Sequence, residues 1–183
     1  MQLETDRLIL REFAQSDFDA LYAVLSDPEA MKFYPKPFDE ARVRGWIQWN
    51  LENYRVFGFG LWAVVLKSGG EVIGDCGVTM QNINGAIKPE IGYHIHRDHQ
   101  NHGYASEAAR KCRDYIFEST PFNSIYSYMK ATNTASAAVA IHCGMRLVDE
   151  YADPVNTLSR AYAIIRAEWM RIAEKADRPP HIR

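Results

Sequence analysis

Between residues 90 and 109 the hydrophobic period of the chain changes once, and that change limits the folds open to it. Ile91, Tyr93 and Ile95 recur at every second position, the period of a strand. Beyond the change, Ala105, Ala108, Ala109, Cys112, Tyr115 and Ile116 recur at helical spacing. The junction, Gln100-Asn101-His102-Gly103-Tyr104-Ala105, is polar and carries a glycine where the helix begins. A strand, a glycine turn and a helix start leave successive backbone N–H groups free, an arrangement suited to phosphate. Gly103 has no Cβ to hold a ligand away from the backbone. One helix terminus contributes about 0.3–2 kcal/mol toward an anion, while micromolar affinity needs about 8 kcal/mol. The turn therefore needs further contacts, and a free strand edge beside it can supply them.

The pattern around this stretch sets the fold class. Residues 7–13 alternate as a first strand. Ser16 is the expected N-cap of a helix whose apolar face is Phe18, Leu21, Tyr22 and Leu25. Residues 31–38 read as a loop with exposed aromatics, Phe33, Tyr34 and Phe38, and Asp39 as the cap of a second helix. Gly58-Phe59-Gly60 ends that helix, and residues 61–66 are an apolar run expected to be a buried strand. Ser68-Gly69-Gly70 turns the chain into a partner strand over 71–80, and residues 82–86 turn it again into the strand at 87–96. After the glycine turn come a helix, a strand over 124–131, a short helix ending at Gly144, and strands over 145–151 and 160–165. The class is mixed α/β (α+β), with an antiparallel segment in the middle. This order, and the lack of Gly-x-Gly-x-x-Gly after a strand, exclude a dinucleotide-binding doubly wound sheet.

A chain of 183 residues suits one domain, expected over 1–170, with 171–183 as a C-terminal tail that frays or contacts a partner. A formal net charge of −2 gives no global field for nucleic acid or an anionic membrane, so neither is an expected partner. The longest apolar run is far short of a membrane span, and the first residues carry no apolar signal core. Cys76, Cys112 and Cys143 are odd in number and widely spaced, which points to a reducing, cytoplasmic location. The oligomeric state stays open between a monomer and a homodimer.

Five segments in order resemble the GNAT superfamily of N-acetyltransferases, and within it the RimJ/RimL group that acetylates ribosomal-protein N-termini. They are Leu3-Glu4-Thr5-Asp6-Arg7-Leu8-Ile9-Leu10-Arg11; Ser26-Asp27-Pro28-Glu29-Ala30-Met31; Glu90-Ile91-Gly92-Tyr93; the hexapeptide from Gln100 to Ala105; and Asn133-Thr134-Ala135-Ser136, with Gly144 beyond. The hexapeptide matches the superfamily's Gln/Arg-x-x-Gly-x-Gly/Ala signature for acetyl-CoA. The resemblance implies the GNAT acyl-CoA N-acyltransferase fold: a central mixed, mostly antiparallel, splayed sheet flanked by helices. It implies acetyl-CoA as co-substrate. The pantetheine arm would pair with the free edge of the strand from Tyr93 to Arg97, Ile95 and Arg97 among its contacts, and the pyrophosphate would rest on N–H groups of His102, Gly103, Tyr104, Ala105 and Ser106. Asn133 would contact the cofactor near the arm, while Arg97, His102, Arg110 and Lys111 stay open as partners of the ribose phosphate.

The implied reaction is direct attack of an amine on the thioester in a ternary complex. The acceptor is a protein N-terminal α-amine or a small amine. An α-amino group with a pKa of about 8 needs one base or a water chain to lose its proton, and the leaving thiolate needs an acid. Glu90 is the candidate base, against the alternative of a surface or ion-paired carboxylate. Many superfamily members carry a tyrosine seven residues after the asparagine; here that position is Ala140. Ser136 is the candidate acid, against the alternative of a hydroxyl satisfying the helix's first turn. His94, His96, His99 and His102 lack a carboxylate or cysteine at a known zinc spacing, so no metal is expected. Cys143, among apolar neighbours, reads as buried rather than nucleophilic, and the resemblance implies that loop 33–38 borders the acceptor, against the alternative that its rings pack to connect the helices. The alternative to an enzyme is a non-catalytic acyl-CoA-binding or protein-interaction domain of the same fold, which the missing tyrosine keeps open.

Overall fold

The computed structural model describes residues 1–176. The chain runs β1 (Gln2–Glu4), β2 (Leu8–Arg11), α1 (Phe18–Leu25), α2 (Glu40–Phe57), β3 (Leu61–Leu66), β4 (Val72–Ile83) and β5 (Ala86–Ile95). It continues through α3 (Tyr104–Ser119), β6 (Ser124–Lys130), α4 (Thr134–His142), β7 (Arg146–Asp153), β8 (Thr157–Ile165) and α5 (Arg166–Ala176). The strands form one sheet in the order β1-β2-β3-β4-β5-β6-β8-β7. Every pairing is antiparallel except β5 with β6.

β3 shows why its sequence is apolar without alternation. All six of its residues are buried, because both faces of the sheet are covered there. Trp62, Val64 and Leu66 enter a core shared with Cys112, Ile116 and Phe117 of α3. Leu61, Ala63 and Val65 enter a second core with Leu21 and Leu25 of α1 and Val43 and Ile47 of α2. At the start of β3 the neighbouring strand comes so close that a Cβ on Gly77 would sit 2.0 Å from the Gly60 carbonyl oxygen, which only glycine permits.

The helix ends are set by particular side chains. Asp39 caps α2 through its carboxylate and the Arg42 N–H, 2.9 Å apart, as expected. Ser16 does not cap α1. It lies inside a single 3-10 turn, Gln15–Asp17, and the N-cap position falls to Asp17. The Asp17 carboxylate is held instead by two 2.7 Å bonds from Arg11 and one of 2.8 Å from the Ala14 N–H. A bidentate ion pair outweighs what a serine hydroxyl offers. At the far end of α3, Arg166 donates to the carbonyls of Phe117, Thr120 and Phe122, closing the helix that the proline at 121 stops.

Three sequence expectations are corrected. β1 extends the sheet beyond the first expected strand, pairing Leu3 with Leu10. Residues 171–176, expected to begin a tail, continue α5, which is anchored by Trp169 stacked on Phe117 at 5.2 Å; residues 177–183 lie outside the described residues. Phe38, expected to be exposed, is buried edge-on against Trp46 at 5.6 Å, with the Arg42 guanidinium over its ring. Among the described residues no helix is long and apolar enough to cross a membrane.

The sheet opens at one place. β5 and β6 share a single registered pair, Glu90 with Tyr126. Beyond it β5 follows β4 as far as Gly74↔Ile95, and β6 follows β8 as far as Lys130↔Ser159. Their inner edges therefore part, and the gap is the mouth of a cavity.

Candidate active site

The cavity at the splay has a volume of about 1080 Å³. One half is walled by the β5 edge and the starts of α3 and α4. The other is walled by loop 33–38, Trp46 of α2, the β4–β5 hairpin and the turn after β7.

In the first half, strand alternation decides which backbone groups face the opening. The His96 N–H donates to Ile73 on β4, and the His94 carbonyl lies against Gly74 of the same strand. Tyr93 and Ile95 therefore turn their N–H and C=O groups to the parted side. The Ile95 carbonyl accepts 2.9 Å from the Gln100 amide, which ties the turn back to the strand. Asn101 and Gly103 take left-handed backbone conformations, φ 63° and 81°, around the start of α3. Gly103 is the N-cap and supplies no side-chain bond, so the N–H groups of Tyr104, Ala105 and Ser106 are left for a ligand. These donors and the β5 edge fit an acyl-CoA: an anion cradle beside an unpaired strand.

Sequence reading missed the brace beneath this turn. Arg7, at the start of β2, pairs with Glu107 at 2.6 Å, donates 3.0 Å to the His102 carbonyl and lies 4.5 Å over the Tyr104 ring. These partners are about a hundred residues away in sequence, so no local pattern announced them. The structure brings Ile95, Gly103, Tyr104, Ala105, Ser106 and Asn133 to the cavity wall. It does not bring Arg97 or His102 there. Arg97 faces Asp27 and Asp98, each 3.7 Å away. His102 stacks on Tyr104 at 5.8 Å, with Nδ1 2.8 Å from the Gln100 carbonyl. Arg110 and Lys111 also lie off the wall. Asn133 caps α4, its Oδ1 accepting 3.1 Å from the Ser136 N–H. The Ser106 hydroxyl lies 3.4 Å from Nδ1 of His142, on the facing end of α4.

Glu90 stands at the apex of the gap, 8% exposed. Burial pushes its pKa up to about 8, against the pull of a backbone hydrogen bond from Tyr128. Its carboxyl folds over Gly92, where a Cβ would lie 3.2 Å from Oε2. The surface-carboxylate alternative for Glu90 is thereby removed, and no cation is paired with it among the described residues.

Ser136 faces the other side of β5. Its Oγ lies 2.9 Å from the Tyr93 hydroxyl, which also donates 2.8 Å to the Ser136 carbonyl. Burial raises the Tyr93 pKa, so this phenol holds its proton. A tyrosine hydroxyl thus reaches the start of α4 from the strand rather than from position 140. The sequence signal for it was the alternation that turns Tyr93 toward α4. The four histidines do not converge: His94 points to Asp75 and Tyr34, His96 packs edge-on against His99 at 6.0 Å, His99 reaches toward Glu71, and His102 toward its own turn. Among the described residues no three histidine, cysteine or acidic side chains converge. Cys143 is buried and its thiol is pushed up to about 12 by that burial.

Residues 7–146 match the family described as "Acetyltransferase (GNAT) domain". The uncharacterized protein YkkB of Bacillus subtilis is 38% identical over 163 residues, 87% of this chain and 95% of its own length. The uncharacterized N-acetyltransferase p20 of Bacillus licheniformis is 37% identical over 137 residues, 73% of this chain and 76% of its own. Among solved structures, the ribosomal L7/L12 alpha-N-protein acetyltransferase RimL in complex with coenzyme A shares the fold. Its TM-score is 0.75 at 18% identity, over 90% of this chain and 98% of that one.

Proposed function

Since the chain belongs to the GNAT acetyltransferase family and is an acetyl-CoA-dependent N-acetyltransferase, we propose that it acetylates a primary amine entering from the side of loop 33–38, by direct attack in a ternary complex. The acceptor is the α-amine of a protein N-terminus, as named for RimL, or the amine of a small molecule. The observation that carries this reading is the parting of β5 and β6 at Glu90. One gap joins an unpaired strand edge and an uncapped helix start to a buried carboxyl.

Each residue's part follows from its place. Acetyl-CoA supplies the activated acyl group. The Tyr93 and Ile95 edge receives the arm like an added strand, and the first-turn N–H groups of α3 receive the pyrophosphate. The Asn133 amide nitrogen, free of the cap bond, faces the arm. Arg7, ion-paired to Glu107, braces the turn from behind through the His102 carbonyl. Glu90, at about 8, is matched to an α-ammonium of pKa about 8, so proton transfer between them, directly or through water, costs little. Ser136, backed by the Tyr93 hydroxyl, returns a proton to the thiolate. The two proton steps occur on opposite faces of β5. Three free cysteines support a cytoplasmic place of work.

Thiol release from acetyl-CoA tests the reading across a panel: a hexapeptide with a free α-amine, single amino acids, spermidine and an aminoglycoside. Turnover saturable in both substrates is expected for at least one amine. Saturable acetyl-CoA binding with no turnover on any of them would refute acceptor entry and transfer as described.

A further inference from the structure

Opposite the cofactor half, four side chains from four elements form one hydrogen-bonded chain that the transfer described above does not use. Asp75 on β4 is fully buried. It lies directly across the ladder from His94 on β5, and its Oδ1 is 2.7 Å from His94 Nδ1. Its Oδ2 accepts 3.0 Å from the Trp46 indole N–H of α2. His94, with a side chain 8% exposed, presents Nε2 to the Tyr34 hydroxyl at 2.7 Å. Tyr34 comes from loop 33–38; the residue is 42% exposed, with its hydroxyl on His94. Tyr34, His94 and Trp46 all line the cavity on the same side as Glu90.

The donors and acceptors fix the direction of this chain. An ionised carboxylate only accepts, so Asp75 takes the Nδ1 proton of His94. The neutral ring then has its lone pair on Nε2, and Tyr34 must donate to it. The phenol's own lone pairs are left facing the cavity. A phenol that already gives its proton to an imidazole is poised to accept another, and Tyr34 lines the cavity that an acceptor would enter.

We propose that Tyr34 is a further catalytic residue of the transfer, taking a proton from the bound amine while its own proton passes to His94. An N–H bond of the amine breaks and a new O–H bond forms on Tyr34; the former Tyr34 proton becomes the Nε2–H of His94. Glu90 takes the ammonium's first proton, and the relay takes the second, shed as the nitrogen bonds the thioester carbon: the net change is protonated adduct nitrogen plus imidazole to neutral amide nitrogen plus imidazolium, with Asp75 as counter-charge and positioning residue. No oxidant or further reactant is required. The titratable groups facing Tyr34 and His94 are Asp75 from β4, Glu90 from β5 and Tyr128 from β6, with Tyr93 acting from the other face of β5. From α2, Arg42 is turned over Phe38 rather than toward the pair. Burial first, then the carboxylates of Glu90 and Asp75, raise the Tyr34 pKa. A free tyrosinate is thereby disfavoured, and a concerted double transfer is the route left.

This inference rests on the acceptor entering beside loop 33–38. The test measures kcat and KM against pH for wild type, Tyr34→Phe, His94→Gln and Glu90→Gln with the amine panel above, and acetyl-CoA affinity by calorimetry. Phenylalanine keeps the ring and its packing, and glutamine keeps polar contacts but cannot take a proton. We expect Tyr34→Phe to lower kcat about 100-fold, the lower end for general acid–base groups, with acetyl-CoA affinity unchanged. His94→Gln should remove one step from the acid limb of the pH profile, a step that Glu90→Gln keeps. Tyr34→Phe with wild-type kcat and an unaltered profile, while Glu90→Gln is impaired, overturns the relay alone. Wild-type kinetics in all three variants, or no turnover of any amine, overturns acceptor entry here and the relay with it.

Discussion

Replacing Glu90 by glutamine should stabilise the protein at alkaline pH while impairing its chemistry. The Glu90 carboxyl is buried at the apex of the splay and its pKa is pushed from 4.5 to about 8. The sign follows from proton counting: between those values the folded chain holds a proton that the unfolded chain has released. The group's stabilising contribution is thus complete below about 4.5 and is lost progressively as pH rises to about 8. Each unit of pH in that window removes about 1.4 kcal/mol, so the loss sums to roughly 3–6 kcal/mol. That is a large share of the roughly 5–15 kcal/mol that holds a domain together. Glutamine does not titrate and keeps the shape. Urea unfolding of both proteins at steps from pH 5 to pH 9 isolates the effect, because all other groups cancel in the difference. Wild type should lose stability relative to Glu90→Gln across that range and level off above pH 8. A difference that stays flat within about 0.5 kcal/mol, the spread of surface substitutions, would refute the buried, unpaired carboxyl. A sloping difference with unaltered turnover would keep the burial and remove the base role.

Two further perturbations probe the α3 and α4 side of β5. Gly103→Val forces a side chain into a left-handed position, φ 81°, at about 1–2 kcal/mol of strain, and fills the approach to the α3 donors. Acetyl-CoA affinity should fall at least about tenfold, the equivalent of 1.4 kcal/mol, and unchanged calorimetric affinity would move the phosphate site elsewhere. Tyr93→Phe keeps the ring but takes from Ser136 its hydroxyl partner at 2.9 Å. A fall in kcat with unaltered acetyl-CoA affinity is expected, and wild-type kcat would clear the Tyr93–Ser136 pair of thiolate protonation.

The parts of the fold that the sequence showed are those decided locally. The Asp39 cap, the Ser68-Gly69-Gly70 hairpin and the change of period around Gly103 each need only a few neighbouring residues. What it concealed was decided by partners far along the chain. Ser16 and Asp17 are both fair caps by type, and Arg11 chooses between them. Residues 166–176 scatter Trp169, Met170 and Ile172 among charges, and α5 is fixed by Arg166 on the end of α3 and by Trp169 on Phe117. The site divided in the same way. Six of the eight residues expected to meet the cofactor lie on the cavity wall, five of them between Ile95 and Ser106, while Arg97 and His102 turn elsewhere and the Arg7 brace had no local signal. Its acceptor half joins residues 34, 46, 75 and 94, which only the β4–β5 register and the loop's return bring together. In sequence the histidines from 94 to 102 look like one cluster; the strand and the turn send them to different partners.

The register of β5 separates the two proton steps proposed for the reaction. Glu90, Gly92 and His94 share one face, toward α2 and loop 33–38, and Tyr93 shares the other with α4. A slip of one residue against β4 would exchange them: Tyr93 would meet the acceptor, and Glu90 and His94 would be driven against α3. Ten registered pairs with β4 and the Asp75–His94 bond across them hold the alignment. β5 follows β4 and β6 follows β8, so beyond Tyr126 their facing edges diverge and the inner-edge amides are left to water or a ligand. An extended arm bearing its own amides completes such an edge, and the gap that admits it also leaves Glu90 without a cation. The carboxyl's raised pKa and the cofactor slot thus have one origin, a parallel pair interrupted after a single residue. An amine that must lose a proton on one side of the arm, and a thiolate that must gain one on the other, meet groups that the alternation of a single strand has already sorted.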